Sequence, residues 1–156
     1  MSGIFSQENQ ITQAAAPVDI NTAGVASDWL SMANYDRITF IISIGTHGGA
    51  STITVANAST NTGTGTADIA FRYRKTATTL VDDWGALTAV AATGVATDGA
   101  TTNIMYLVEV DSQELTDGMD FVQVKMSDPG VATVVGVIGI GSRGKIKQAT
   151  PISLQS

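Results

Sequence analysis

Asp28-Trp29-Leu30-Ser31-Met32-Ala33-Asn34-Tyr35-Asp36-Arg37-Ile38-Thr39-Phe40-Ile41-Ile42-Ser43-Ile44-Gly45 is the stretch whose reading decides the fold. Its second half, Ile38 to Ile44, is almost continuously apolar and rich in β-branched residues. Such a run is too short and too β-branched for a comfortable helix. It predicts a strand covered on both faces. Just upstream, Val25 to Ala33 predicts a short helical turn. Ser27 or Asp28 would cap it by accepting from free backbone N–H groups, and Trp29 and Met32 would share one face at i, i+3 spacing. Trp29, Tyr35 and Phe40 are expected in the core.

Outward from this stretch, the chain reads as strands and turns. Residues 1–16 are polar, with Ile4, Phe5 and Ile11 as the apolar anchors, and predict an extended arm. Pro17-Val18-Asp19-Ile20 opens the first expected strand. Gly45-Thr46-His47-Gly48-Gly49 predicts a turn, because glycine reaches positive φ cheaply. Ser51 to Ala56 and Ala67 to Lys75 alternate with period two, as half-exposed strands do. In the second of these, Ile69, Phe71 and Tyr73 point one way and Arg72 and Arg74 the other. Thr78 to Trp84 suggests a short strand, Leu87 to Val90 another, with a loop through Asp98-Gly99. Asn103 to Val110 is a clear strand. Asp111-Ser112-Gln113-Glu114-Leu115 reads as one helical turn with Asp111 as cap and Glu114 as its reciprocal partner. Met119 to Met126 is a strand with Val122, Val124 and Met126 facing inward. Asp128-Pro129-Gly130 turns the chain into a last strand over Val131 to Ile140.

About eight short strands with turns every 8–12 residues predict a sandwich or jelly roll. The absence of long amphipathic helices argues against parallel βαβ units. The expected fold is therefore all-β: a single-domain β-sandwich or jelly roll with one or two short helical turns. Its parts would be an arm at 1–16, a sandwich at 17–142 and a basic tail at 143–156.

Bulk composition narrows the function. The 156 residues suit one domain, large enough to fold without a metal or disulfide. There are no cysteines, which excludes thiolate zinc sites, disulfides and thiol catalysis. A net charge of −6 with few basic residues argues against a nucleic-acid partner. No run approaches the roughly 20 apolar residues of a membrane span, and the first residues lack the basic and apolar regions of a signal peptide. Synthesis in the cytoplasm is expected.

The motifs that could carry chemistry fail on inspection. Gly139-Ile140-Gly141-Ser142-Arg143-Gly144 matches G-x-G-x-x-G, and Gly139 to Lys145 matches the first part of a P-loop. Both need a helix that starts at the glycines so that its N–H groups converge on phosphate. Ile146 replaces the Ser/Thr that would hold magnesium, and Pro151 leaves little room for a helix. These glycines are expected instead to let the last strand bend or meet another backbone closely. His47, the single histidine, is expected in solvent on its Gly-rich turn, with no G-x-S-x-G elbow to serve. Asp82-Asp83, Asp111, Asp117 and Asp120 lack calcium-loop spacing and read as turn and cap residues. Asn57-Ala58-Ser59 matches a glycosylation sequon. No catalytic residue, cofactor or metal is expected.

Three of the eight basic residues lie at Arg72, Arg74 and Lys75, and three at Arg143, Lys145 and Lys147. The first group reads as a solvated strand face. The second leaves open a contact to an acidic protein surface.

Two blocks carry a family resemblance. Asp28 through Ile42, in which a Trp/Ser/Met turn passes through Asn-Tyr into a strand, resembles a segment of small virion proteins of tailed bacteriophages. Tyr106 to Leu115, followed by Gly118 to Asp128, resembles their second recurring block. The resemblance covers about half the chain. It implies a non-enzymatic virion structural protein, foremost a capsid decoration (cement) protein on the capsid exterior. Its implied partner is the major capsid protein, and it implies a homo-oligomer, with a trimer favoured. Expected contact residues are Ile4, Phe5, Ile11, Arg143, Lys145 and Lys147. A tail-tube or head–tail joining protein is the alternative within the class. A carbohydrate-binding β-sandwich module is the alternative outside it.

Overall fold

The computed structural model describes residues 3–76, 78 and 83–144. A four-residue helix α1 (Phe5–Glu8) leads into strands β1 (Gln10–Asp19), β2 (Val25–Ala26), β3 (Leu30–Ser31), β4 (Tyr35–His47), β5 (Thr52–Ala58) and β6 (Ala67–Ile69). There follow β7 (Phe71–Lys75), β8 (Thr88–Val90), β9 (Val95–Ala96), β10 (Ile104–Asp111), a single helical turn over Ser112–Glu114, β11 (Phe121–Met126) and β12 (Thr133–Gly144). The first sheet runs β1-β12-β4-β10-β7-β8. The second runs β2-β11-β5-β6, with β3 also on β11 and β9 on β5. Every pairing is antiparallel. The two sheets enclose one core, so the chain is an all-β, single-domain sandwich.

β4 is the spine. It lies between β12 and β10, and Ile38, Phe40, Ile42 and Ile44 on it are fully buried. They meet Val122, Val124, Ile53 and Val55 of the second sheet in one apolar cluster. The intervening Thr39 and Ile41 are half-buried and Ser43 is exposed. β4 is thus covered on one face, not both. Its continuous apolar run hides an ordinary two-residue alternation, because Ile41 occupies an outward position.

The stretch before β4 is not helical. Ser27 N–H donates to Val124 O at 2.9 Å, Val124 N–H donates to Ser27 Oγ at 3.1 Å, and Asp28 N–H donates to Ala14 O at 2.8 Å. With these groups bonded to β11 and β1, the backbone has no i→i−4 ladder to form. Tertiary pairing overrides local preference here. Met32 is buried, but Trp29 and Tyr35 are only half-buried, so of the three expected core aromatics only Phe40 is fully enclosed.

The first strand begins at Gln10, and residues 10–16 belong to the first sheet instead of an arm. Bulges between Gln13 and Val18 and the missing N–H of Pro17 keep this edge from offering a regular ladder to another strand. Ala67 to Lys75 keeps its alternation but changes sheets at Ala70: β6 pairs with β5 and β7 with β10. Ile69 and Phe71 stay buried on either side of the crossing because both sheets face the same core. The capped turn forms as expected, with Asp111 N–H donating to Glu114 Oε2 at 2.9 Å. Of the strand expected at Thr78–Trp84, Trp84 bridges Thr76; Thr79 to Asp82 lie outside the described residues.

Candidate interaction surface

The register of the first sheet fixes what its outward face carries. Ile138 on β12 lies opposite Ile41 on β4, and Ile41 lies opposite Leu107 on β10. One row along, Ile11 on β1 lies opposite Ile140, and Ile140 opposite Thr39. In the other direction Ser43 pairs with Met105. On β4, β10 and β12 each of these positions alternates with a buried one, so they point away from the core, and Ile11 shares that face through its pairing with Ile140. Four adjacent strands, about 15 Å across at ~4.8 Å spacing, therefore present one apolar stripe. Ile11 is 52% exposed, Ile138 43% and Met105 37%, while Ile41, Leu107 and Ile140 are half-buried. The outward face of the second sheet differs. It carries Thr54, Gln123 and Lys125, and Lys125 Nζ pairs with Asp68 Oδ1 at 2.7 Å. A contiguous apolar patch on a sheet face is the mark of a contact surface.

A charged cluster borders the stripe where β4, β10 and β7 run side by side. Asp111 Oδ1 accepts from Arg37 Nε at 2.6 Å, Asp111 Oδ2 accepts from Arg37 Nη2 at 3.1 Å, and the same Oδ2 accepts from Arg72 Nη2 at 2.6 Å. The Arg37 hydrogen bond, against the opposing cost of burial and with help from Arg72, holds the Asp111 carboxyl below the ordinary carboxylate range. The guanidinium of Arg37 is raised by the same bond. A depressed folded-state pKa stabilises the protein above the unfolded carboxyl value, near 3.9, and that contribution is lost as pH falls through the folded pKa. Asp111→Asn is therefore expected to lower stability by about 1–3 kcal/mol at neutral pH, between the value of an exposed pair and that of a buried one. Urea melts of the two proteins should draw together as pH falls below the ordinary carboxylate range and Asp111 itself becomes protonated. A gap unchanged from pH 7 to pH 2 would reject this account.

The expected contact residues divide. Ile4, 63% exposed, and Phe5, 57% exposed, flank and start α1, which packs against β1 and β12. Ile11 joins the apolar stripe itself. Arg143 is exposed near the end of β12, with a left-handed φ of 56° that few non-glycine residues adopt. Lys145 and Lys147 lie outside the described residues. Ile41, Met105, Leu107, Ile138 and Ile140 were not foreseen. The signal for them is present in the sequence: β10 and β12 are apolar at both alternating sets of positions.

The motifs singled out for chemistry fall as follows in the fold. Residues 139–144 are strand, not the start of a helix, so neither glycine motif can cradle phosphate. His47 is not in solvent: its side chain is wholly buried, with Nδ1 2.9 Å from Thr101 O and Nε2 2.9 Å from Thr97 Oγ1. Asn57 is fully buried, which removes the sequon as an acceptor in the folded chain. Among the described residues no three His, Asp or Glu side chains are grouped to hold a metal, and no helix is long and apolar enough to cross a membrane.

No protein-family model and no curated protein sequence matches the chain. Among solved structures it is similar to the SPBc2 prophage-derived protein YomS, with a TM-score of 0.45 and 16% identity over 85% of this chain and 91% of that one.

Proposed function

We propose that the chain is a non-enzymatic structural subunit of a tailed-phage virion, and within that class a capsid decoration protein seated on the capsid exterior. The observation that carries this reading is the apolar stripe of the first sheet, which includes Ile11. An apolar face of this extent is at home in an assembly. The resemblance of Asp28–Ile42 and Tyr106–Asp128 to phage virion proteins supplies the kind of assembly. The structure adds that the two blocks pack as one unit, with β4 beside β10 and Leu30 paired with Val122.

The work of such a protein is binding. Each subunit buries its stripe against the major capsid protein or against a sister subunit, and binding to the assembled lattice stabilises it by mass action. A trimer would strengthen attachment through effective concentration. The acidic balance suits an exterior position, away from packaged nucleic acid.

Ile138→Glu and Ile11→Glu test this directly. Both residues are exposed, so melting temperatures should stay within about 2 °C, in line with surface substitutions of ~0.5 kcal/mol. Binding to expanded shells of the parent phage, read by co-sedimentation and cryo-electron microscopy, should fall at least tenfold. Wild-type protein that neither binds shells nor occurs in purified virions would end the proposal. Tubes or rings in place of shell-bound knobs would transfer the protein to the tail-tube or joining reading.

A further inference from the structure

On the opposite side of the first sheet from the stripe lies an open cleft of about 300 Å³. Its floor is made where β12 carries glycine at core-facing positions. A Cβ at Gly139 would strike Leu30, and one at Gly141 would sit 3.0 Å from the Tyr35 ring. The alternating glycines thus make room for side chains of the 28–35 segment and leave a hollow beside them. Trp29 and Tyr35, both half-buried, line it. Three exposed polar side chains converge on the same space: the carboxylate of Asp28 and the amides of Asn34 and Gln10. None of the three has a side-chain hydrogen bond among the described residues.

The geometry points to a binding site for a neutral saccharide, one monosaccharide unit in size. The volume is at the lower end of small-molecule pockets, enough for one sugar ring and too small for a dinucleotide. An aromatic face takes the C–H side of a pyranose as apolar surface. A carboxylate accepts from sugar hydroxyls, while a primary amide both donates to and accepts from neighbouring ones. Among the described residues Asp28 is the one charged residue lining the cleft, and its carboxylate would repel a phosphate-bearing ligand. The glycines of the failed phosphate-loop motif thus make way for the side chains of Leu30 and Tyr35, shaping a hollow for an uncharged ligand.

The test is saturation-transfer NMR on the full chain. The ligand panel is D-glucose, D-galactose, N-acetyl-D-glucosamine, choline and inorganic phosphate. At least one saccharide is expected to bind with a Kd of roughly 1–10 mM, which corresponds to ~3–4 kcal/mol, with transfer strongest at ring C–H protons. Asn34→Ala and Asp28→Ala, both at exposed positions, should weaken it at least tenfold without moving the melting temperature. Ile138→Glu should leave it unchanged, so loss of shell binding and loss of sugar binding are separable. No transfer to any saccharide at ~50 mM, about five times the weakest expected Kd or more, would overturn the assignment. So would transfer to choline or phosphate alone, or a saccharide signal indifferent to both cleft variants.

Discussion

Phe40→Ala is expected to lower stability by about 3–5 kcal/mol, the usual cost of truncating a fully enclosed aromatic. A domain of this kind has only about 5–15 kcal/mol in total, so the loss is about a fifth of it at the least. For a chain of this length it corresponds to a drop of roughly 6–20 °C in melting temperature. The reason is local. Phe40 is 0% exposed and sits between Gly139 on β12 and Val108 on β10. The glycine contributes no side chain to that row, so the ring has no large neighbour on that strand to relax into the hole. Ile41→Ala, one residue along the same strand, is the control. Its side chain points outward and is half-exposed, so its cost should stay below about 1.5 kcal/mol. Urea melts of both variants check the pair. Equal costs would mean that β4 is covered on both faces after all.

That contrast shows where sequence reading reached its limit. Strands β4, β10 and β11 were legible because β-branched residues and period-two alternation are local signals. The Asp111–Glu114 turn was legible because a capping box closes within three residues. Gln10 to Ala16 was not, since only Ala14 on that stretch is buried and an edge strand with bulges leaves no periodic trace. Val25 to Ala33 has a plausible cap, and its pairing with β11 depends on residues about a hundred positions away. The stripe was missed for the same reason. Ile138, Ile41 and Leu107 become neighbours only through the register of three strands, and the apolar run around Ile41 was more simply read as a strand buried on both faces. Of the expected contact residues, Ile11 stands out in the sequence as an isolated apolar residue in a polar stretch, and strand register puts it opposite Ile140.

His47 marks the largest single difference between local pattern and structure, and His47→Ala is expected to be the second most costly change, at roughly 2–4 kcal/mol. A histidine among glycines reads as exposed, yet this one ties two loops to the sandwich. Thr101 O can only accept, so the proton belongs on Nδ1. Nε2 is then an acceptor, and the Thr97 hydroxyl donates to it while accepting from Ser51 N–H at 2.9 Å. Every buried group in this chain of contacts is satisfied in that one tautomer. Asp98 borders it, with Oδ1 3.4 Å from Nδ1. Burial pushes the Asp98 carboxyl up, but the N–H groups of Thr101 and Ala100 outweigh that, and with the help of His47 they hold it below its ordinary value. Alanine removes the ring and leaves the Thr101 carbonyl with one partner fewer. An unsatisfied buried acceptor costs about 1–3 kcal/mol before the cavity is counted. Hydrogen exchange should register the damage first at Ser51 and Thr97, whose amides close this end of the sandwich, with β10 and β11 still protected. An alanine variant as stable as the wild type, with unchanged exchange at Ser51, would show that the network is ornamental and that the loops are held by the Ser127 contacts to Ser51 and Thr52 alone.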